Sequence, residues 1–211
     1  MRFSQIDDTN RCDHTRLTDG DACFYLFEYT SHQGFDFSQT NNLISNLKKK
    51  PSQRHRPGYH YKERAINSSA ASMRQAFNPD WLASATLVPV PCSKARDHPD
   101  FDDRIERICR LVGADVRNLV SQTESTVASH EVGEGDRPTL EQLLEIYEIE
   151  ECLTNPAPRA IGVVDDVLTV GTHFRAMSIV LGQRFPGVPI TGLFVARRVF
   201  PDVALDFPML T

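Results

Sequence analysis

Ala160-Ile-Gly-Val-Val-Asp-Asp-Val-Leu-Thr-Val-Gly-Thr172 decides how this 211-residue chain folds. It opens with a nearly unbroken apolar run, the pattern of a strand buried on both faces of a parallel sheet. Two acids follow, then a short loop of Thr and Gly, then a helix. That helix carries Phe174, Met177, Leu181 and Phe185 at helical spacing and stops at Pro186-Gly187. Residues 190–195 form another apolar strand. In open α/β sheets ligands bind at the carboxyl ends of strands, where Asp165 and Asp166 emerge. Backbone N–H groups converging at a helix N-terminus bind phosphate. Here Gly171 permits the turn, and Thr169 and Thr172 add hydroxyl donors. One end of the site takes a phosphate, the other a polyol or a metal.

Outward from this segment the pattern repeats. Residues 85–90 form an apolar strand that runs straight into Pro91-Cys92-Ser93-Lys94, and residues 22–30 form an aromatic-rich one. Helices are predicted from Leu43, Ile44 and Leu47, and from Ile66, Ala70, Met73 and Phe77, the second stopped by Pro79. Another carries Phe101, Ile105, Ile108 and Val112, with Asp100, Asp102 and Asp103 suiting its first turn. Residues 116–120 suit a short strand, and residues 121–137 form a long polar loop of the kind that serves as a lid, a binding loop or a disordered segment. Thr139 with Gln142 makes a capping box, opening a helix with Leu140, Leu143, Leu144 and Tyr147 on one face. Strands alternating with helices give an α/β, doubly wound, mainly parallel sheet. The length suits a single domain over residues 1–211, with its core at about 22–196.

Composition narrows the function. The chain is 40% hydrophobic and 24% charged with a net charge of −5, ordinary for a soluble domain. No secretory signal and no membrane-length apolar run is present, so a cytoplasmic protein without membrane contact is expected. Five scattered cysteines read as free thiols; Cys12, His14 and Cys23 lack the paired spacing of a structural zinc site. The net charge hides a basic stretch in which Lys48, Lys49, Lys50, Arg54, Arg56, Lys62 and Arg64 face the single acid Glu63. Its interleaved His55, Tyr59, His60 and Tyr61 suit either a polyanion such as nucleic acid or a solvated loop. Competing chemistries lack their motifs. There is no Gly-Lys-Ser/Thr loop, no acid at Val167 for an Asp-x-Asp phosphatase, and no Gly-x-Ser-x-Gly elbow.

Residues 161–172 resemble the signature of the type I phosphoribosyltransferases: four apolar residues, two acids, two apolar residues, then a Thr/Ser-Gly-Thr phosphate loop. Val170 stands where the family usually has a second hydroxyl or small residue. Leu87-Val-Pro-Val-Pro-Cys-Ser-Lys-Ala-Arg96 is similar to the pyrophosphate-side loop of the ComF-like branch, and Leu43-Ile-Ser-Asn-Leu-Lys48 to its lysine-ended amphipathic helix. Two features depart from that branch. Residues 1–20 do not supply its four-cysteine zinc module, and His98-Pro-Asp-Phe-Asp-Asp103 replaces its Arg-Gly-Phe-Asn-Gln run.

The resemblance implies a type I phosphoribosyltransferase fold with a small hood, and an enzyme that moves ribose 5-phosphate from phosphoribosyl pyrophosphate to a nitrogen acceptor. It implies that Asp165 and Asp166 hold the ribose hydroxyls and that Val167, Leu168, Thr169, Val170, Gly171 and Thr172 hold the 5′-phosphate. Cys92, Ser93, Lys94 and Arg96 would face the pyrophosphate, with Mg²⁺ carried mainly by the substrate and touched by Asp165 and Asp166. His130 and Arg137 would contribute from the lid, and a homodimer is in keeping with the family. The alternative is a module that binds a phosphoribosyl compound, a nucleotide or nucleic acid without transfer activity, the nucleic acid meeting the basic stretch from Lys48 to Arg64.

Overall fold

The computed structural model describes residues 1–125 and 138–201. Eight strands alternate with helices: β1 (Ser4–Gln5), β2 (Ala22–Thr30), α1 (Gln39–Leu47), α2 (His60–Ala76), α3 (Pro79–Ser84), β3 (Ala85–Pro89), α4 (Arg104–Val112), β4 (Asp115–Val116), β5 (Val120–Gln122), α5 (Leu140–Ile146), β6 (Tyr147–Ile149), β7 (Ala160–Leu168), α6 (Thr172–Arg184) and β8 (Ile190–Val199). Six strands form one sheet in the order β1-β2-β8-β7-β3-β4, parallel except for β1, which pairs antiparallel with β2. β5 and β6 form a separate antiparallel pair, with β6 against α6.

Alternate residues of the central strands feed two apolar layers. Val88, Val163 and Phe194 pack with Phe174, Met177 and Leu181 of α6 and Leu143 of α5. Leu87, Val164 and Leu193 pack with Ile44 and Leu47 of α1, Ile66 and Met73 of α2, and Ile108 of α4. The tight fit requires glycine within β7: a Cβ at Gly162 would lie 2.8 Å from Leu193, 2.9 Å from Leu87 and 3.0 Å from Trp81. Gly162→Val is therefore expected to destabilise the fold by about 1–3 kcal/mol, read as a lower urea midpoint.

This topology places the site. β3 leads through α4 to β4 on one side of the sheet, whereas β7 leads through α6 to β8 on the other. The adjacent strands β3 and β7 thus part at their carboxyl ends, at the switch point where open α/β sheets bind ligands.

Several local expectations change. Pro79 does more than stop α2: the Asn78 side chain accepts from the Asp80 and Trp81 N–H groups, and Pro79 opens α3 at a position where its missing N–H costs nothing. Phe101 lies outside α4, which begins at Arg104. The single strand expected over residues 116–120 is split between β4 and β5, which belong to different sheets. Residues 121 and 122 belong to β5 rather than to the long loop, because their partner β6 lies far along the chain. Val167 and Leu168 continue β7, paired with Ala196 and Arg197, so the phosphate-type loop itself is only Thr169, Val170 and Gly171.

Candidate functional site

At the switch point, the segment leaving β3 and the end of β7 are tied by a hydrogen bond from the Val90 N–H to the Val164 carbonyl, 2.9 Å. Between them lies a cavity bordered by Ser93 and Lys94 on one side, by Asp165, Asp166 and Thr169 on the other, and by Lys48 and Arg104 across its wall. Asp165 is half-buried and Asp166 buried. The Asp166 N–H donates to Asp165 Oδ1 at 2.7 Å, which orients the first carboxylate with the backbone of the second.

Asp166 is held by two cations. Arg104 reaches it with a fork, Nε at 2.9 Å and Nη2 at 2.6 Å from Oδ2, and Lys48 Nζ lies 3.3 Å from Oδ1. Burial opposes ionisation of Asp166, but Lys48 and Arg104 outweigh it and hold the carboxyl well below its ordinary range. Asp165 moves the other way, raised by burial and by the neighbouring Asp166 charge. The fork extends outward: Arg104 Nη1 donates to Asp102 Oδ2 at 2.8 Å, and Lys62 Nζ lies 2.7 Å from the same oxygen. Lys62 also donates to the Leu47 and Lys49 carbonyls, which anchors the end of α1 beside the cavity. His173, on the first turn of α6, borders the cavity with its Nδ1 2.8 Å from the Tyr147 hydroxyl. Burial pushes its pKa down to about 4, so the ring is neutral at physiological pH.

The loop after β7 has the geometry of an anion cradle. Gly171 takes φ +96° as the N-cap of α6, and among the described residues no side chain caps that helix, which leaves first-turn N–H groups for a ligand. A Cβ at Gly171 would lie 2.8 Å from Leu17 Cδ2, so the glycine serves close approach as well as turn geometry. The N-terminal segment braces the loop from outside: the Arg16 N–H donates to the Val170 carbonyl at 2.8 Å, and His14 Nδ1 bonds to the Thr169 carbonyl. His14 is thereby committed to the loop, while Cys12 is exposed and Cys23 buried. Among the described residues no group of three or more His, Cys, Asp or Glu side chains converges as a metal cage.

The sequence-predicted residues divide accordingly. Ser93, Lys94, Asp165, Asp166, Val167 and Thr169 share the central cavity, together with Cys92. Arg96 lies against the Phe101 ring at 5.6 Å and borders the neighbouring hollow. Leu168 is core, and Val170 and Thr172 face a separate hollow beside Arg16 and Thr139. His130, Arg137 and most of the expected lid lie outside the described residues. The basic stretch also divides. Lys48 and Lys62 turn inward to Asp166 and Asp102, Lys49 donates to the Gly58 carbonyl at 2.6 Å, and Arg54, Arg56 and Arg64 are exposed.

Arg104, Lys62 and Asp102 form the part of the site that sequence reasoning missed, and two signals pointed to them. Arg104 is a cation at the first position of a helix, where the macrodipole disfavours it unless an acid holds it. Lys62 falls one turn before Ile66 on the apolar stripe of α2, a place for an internal partner. Among the described residues no helix is long and apolar enough to cross a membrane. Comparison with protein-family models finds no match, and comparison with curated proteins finds none.

Proposed function

We propose that the chain binds phosphoribosyl pyrophosphate with Mg²⁺ and transfers ribose 5-phosphate to a nitrogen acceptor. The observation that carries this reading is the meeting, at one switch point, of the Asp165-Asp166 pair, the Ser93-Lys94 loop, and Thr169 and His173 on either side of the glycine turn that opens α6. The α6 cradle suits the 5′-phosphate, Asp165 the ribose hydroxyls, and Ser93, Lys94 and Arg104 the diphosphate. The nitrogen lone pair forms the new bond to C1 as the C1–O bond breaks, the bonding pair leaves with pyrophosphate, and the nitrogen proton passes to solvent. The sugar is oxocarbenium-like in between, and the cationic side chains stabilise charge building on the leaving group.

The donor set fits a cation carried by the substrate. Both oxygens of Asp166 are engaged by Lys48 and Arg104, so Asp165 is the acid with more lone pairs to spare. Mg²⁺ prefers substrate phosphates and water to an all-protein cage, and when bound it would neutralise diphosphate charge.

Titration of the protein with phosphoribosyl pyrophosphate and Mg²⁺ in a calorimeter, with pyrophosphate release followed against a panel of bases and amines, tests the proposal. Binding with release is expected; absence of binding overturns it. The engagement of both Asp166 oxygens by cations favours a second reading, a phosphoribosyl-binding module without transfer. Binding without release by any acceptor in the panel would select that module. Exposed Arg54, Arg56 and Arg64 leave it a surface for nucleic acid.

A further inference from the structure

We infer that Arg104 is a diphosphate-operated latch on the ribose site: it occupies Asp166 while the site is free of diphosphate, and moves onto a diphosphate when one binds, releasing Asp166 for sugar hydroxyls. This inference rests on the reading of the cavity as a phosphoribosyl site.

The geometry provides the starting point of the movement and the space beside it. Both oxygens of Asp166 are engaged in the latched state, one by the Arg104 fork and one by Lys48. A hydroxyl arriving there must compete with a bidentate, charge-assisted pair. Asp166 offers that guanidinium one oxygen for both nitrogens, whereas a diphosphate offers it several oxygens and more negative charge. Arg104 borders the same cavity as Ser93 and Lys94, so its new partner would arrive within the space it already lines.

The network also lets the latch open without stranding a buried charge. Asp166 keeps Lys48 at 3.3 Å, and Asp102 keeps Lys62 at 2.7 Å. Each carboxylate that Arg104 leaves thus retains a cation, which removes the main penalty for breaking a buried pair. Arg104 is also the more accessible partner, its side chain 17% exposed against 3% for Lys62. The latch is therefore selective for ligands carrying both parts: a sugar phosphate alone meets a closed Asp166, and a diphosphate opens it.

The test is the affinity for ribose 5-phosphate, measured by calorimetry in Mg²⁺ with and without saturating inorganic pyrophosphate. Wild-type protein should bind ribose 5-phosphate about tenfold more tightly when pyrophosphate is present, a coupling of ordinary allosteric size. Arg104→Gln should bind ribose 5-phosphate tightly without pyrophosphate and show no coupling, and Arg104→Lys, a cation without the fork, should show less coupling than wild type. Pyrophosphate that leaves wild-type affinity unchanged or weakens it overturns the latch, as does an Arg104→Gln protein that binds ribose 5-phosphate more weakly than wild type. Should Arg104→Gln fail to fold, the wild-type and Arg104→Lys measurements decide. Binding of phosphoribosyl pyrophosphate without coupling removes the latch alone, whereas binding of neither compound removes the phosphoribosyl reading as well.

Discussion

On the proposed phosphoribosyl reading, Asp165→Asn is expected to lower affinity for phosphoribosyl pyrophosphate roughly 10- to 100-fold, the loss of a charged hydrogen-bond acceptor for hydroxyls, while leaving the fold as stable as wild type or more so. Among the described residues Asp165 makes no ion pair, and its hydrogen bond from the Asp166 N–H can be accepted equally by an amide oxygen. What the substitution removes is a carboxyl that burial and Asp166 make costly to ionise. Because its folded pKa lies above its ordinary value of 3.8, the native state retains a proton that the unfolded chain releases. Wild-type stability therefore falls as pH rises from that value through the folded pKa, and stays lower above it. The Asn variant lacks this fall. Its advantage should be absent near pH 3 and reach on the order of 1–3 kcal/mol at pH 8, since each tenfold difference in proton affinity between the folded and unfolded chain is worth about 1.4 kcal/mol. Paired thermal melts across this range check the stability and calorimetry checks the affinity. A variant that melts lower than wild type at pH 8, or binds as tightly, contradicts the assignment.

How much of this was legible beforehand depended on whether the signal was local. β7 and α6 could be read because their patterns are continuous: an apolar run, then an apolar stripe at helical spacing. The Thr139–Gln142 capping box formed as expected for the same reason, since both partners lie within one turn. Asp165 and Asp166 were legible as a pair at a strand end. Their inequality was not, because it depends on Arg104, 62 residues away from Asp166, and on Lys48. Asp100, Asp102 and Asp103 were expected to serve the first turn of a helix, yet Asp102 serves Lys62 and Arg104 instead. His14 and Leu17 gave no sign of their contact with the loop at Thr169 and Gly171, since a contact spanning more than 150 residues leaves no periodicity behind.

Asp102→Ala should produce the largest loss of stability, about 3–5 kcal/mol at neutral pH, because it removes one partner of a buried pair. Lys62 has a side chain only 3% exposed and lies among α1, α2 and the segment before α4, with two carbonyls as its remaining partners. Without Asp102, burial dominates its ionisation and lowers a pKa already below 10.5 in the wild type. Arg104 loses one contact but keeps Asp166, so the damage concentrates at Lys62. The pH dependence separates this cause from simple loss of packing. An unfolded lysine binds a proton that the variant's buried Lys62 gives up, so the variant regains stability as pH rises from neutrality towards 10, whereas a cavity would destabilise equally across that range. Adding Lys62→Met to Asp102→Ala should recover much of the loss, since an apolar chain can take the place of the stranded ammonium. Urea denaturation of both variants at two pH values measures this; a double variant no more stable than Asp102→Ala would show that the pair's charge is not what holds α2 against the site.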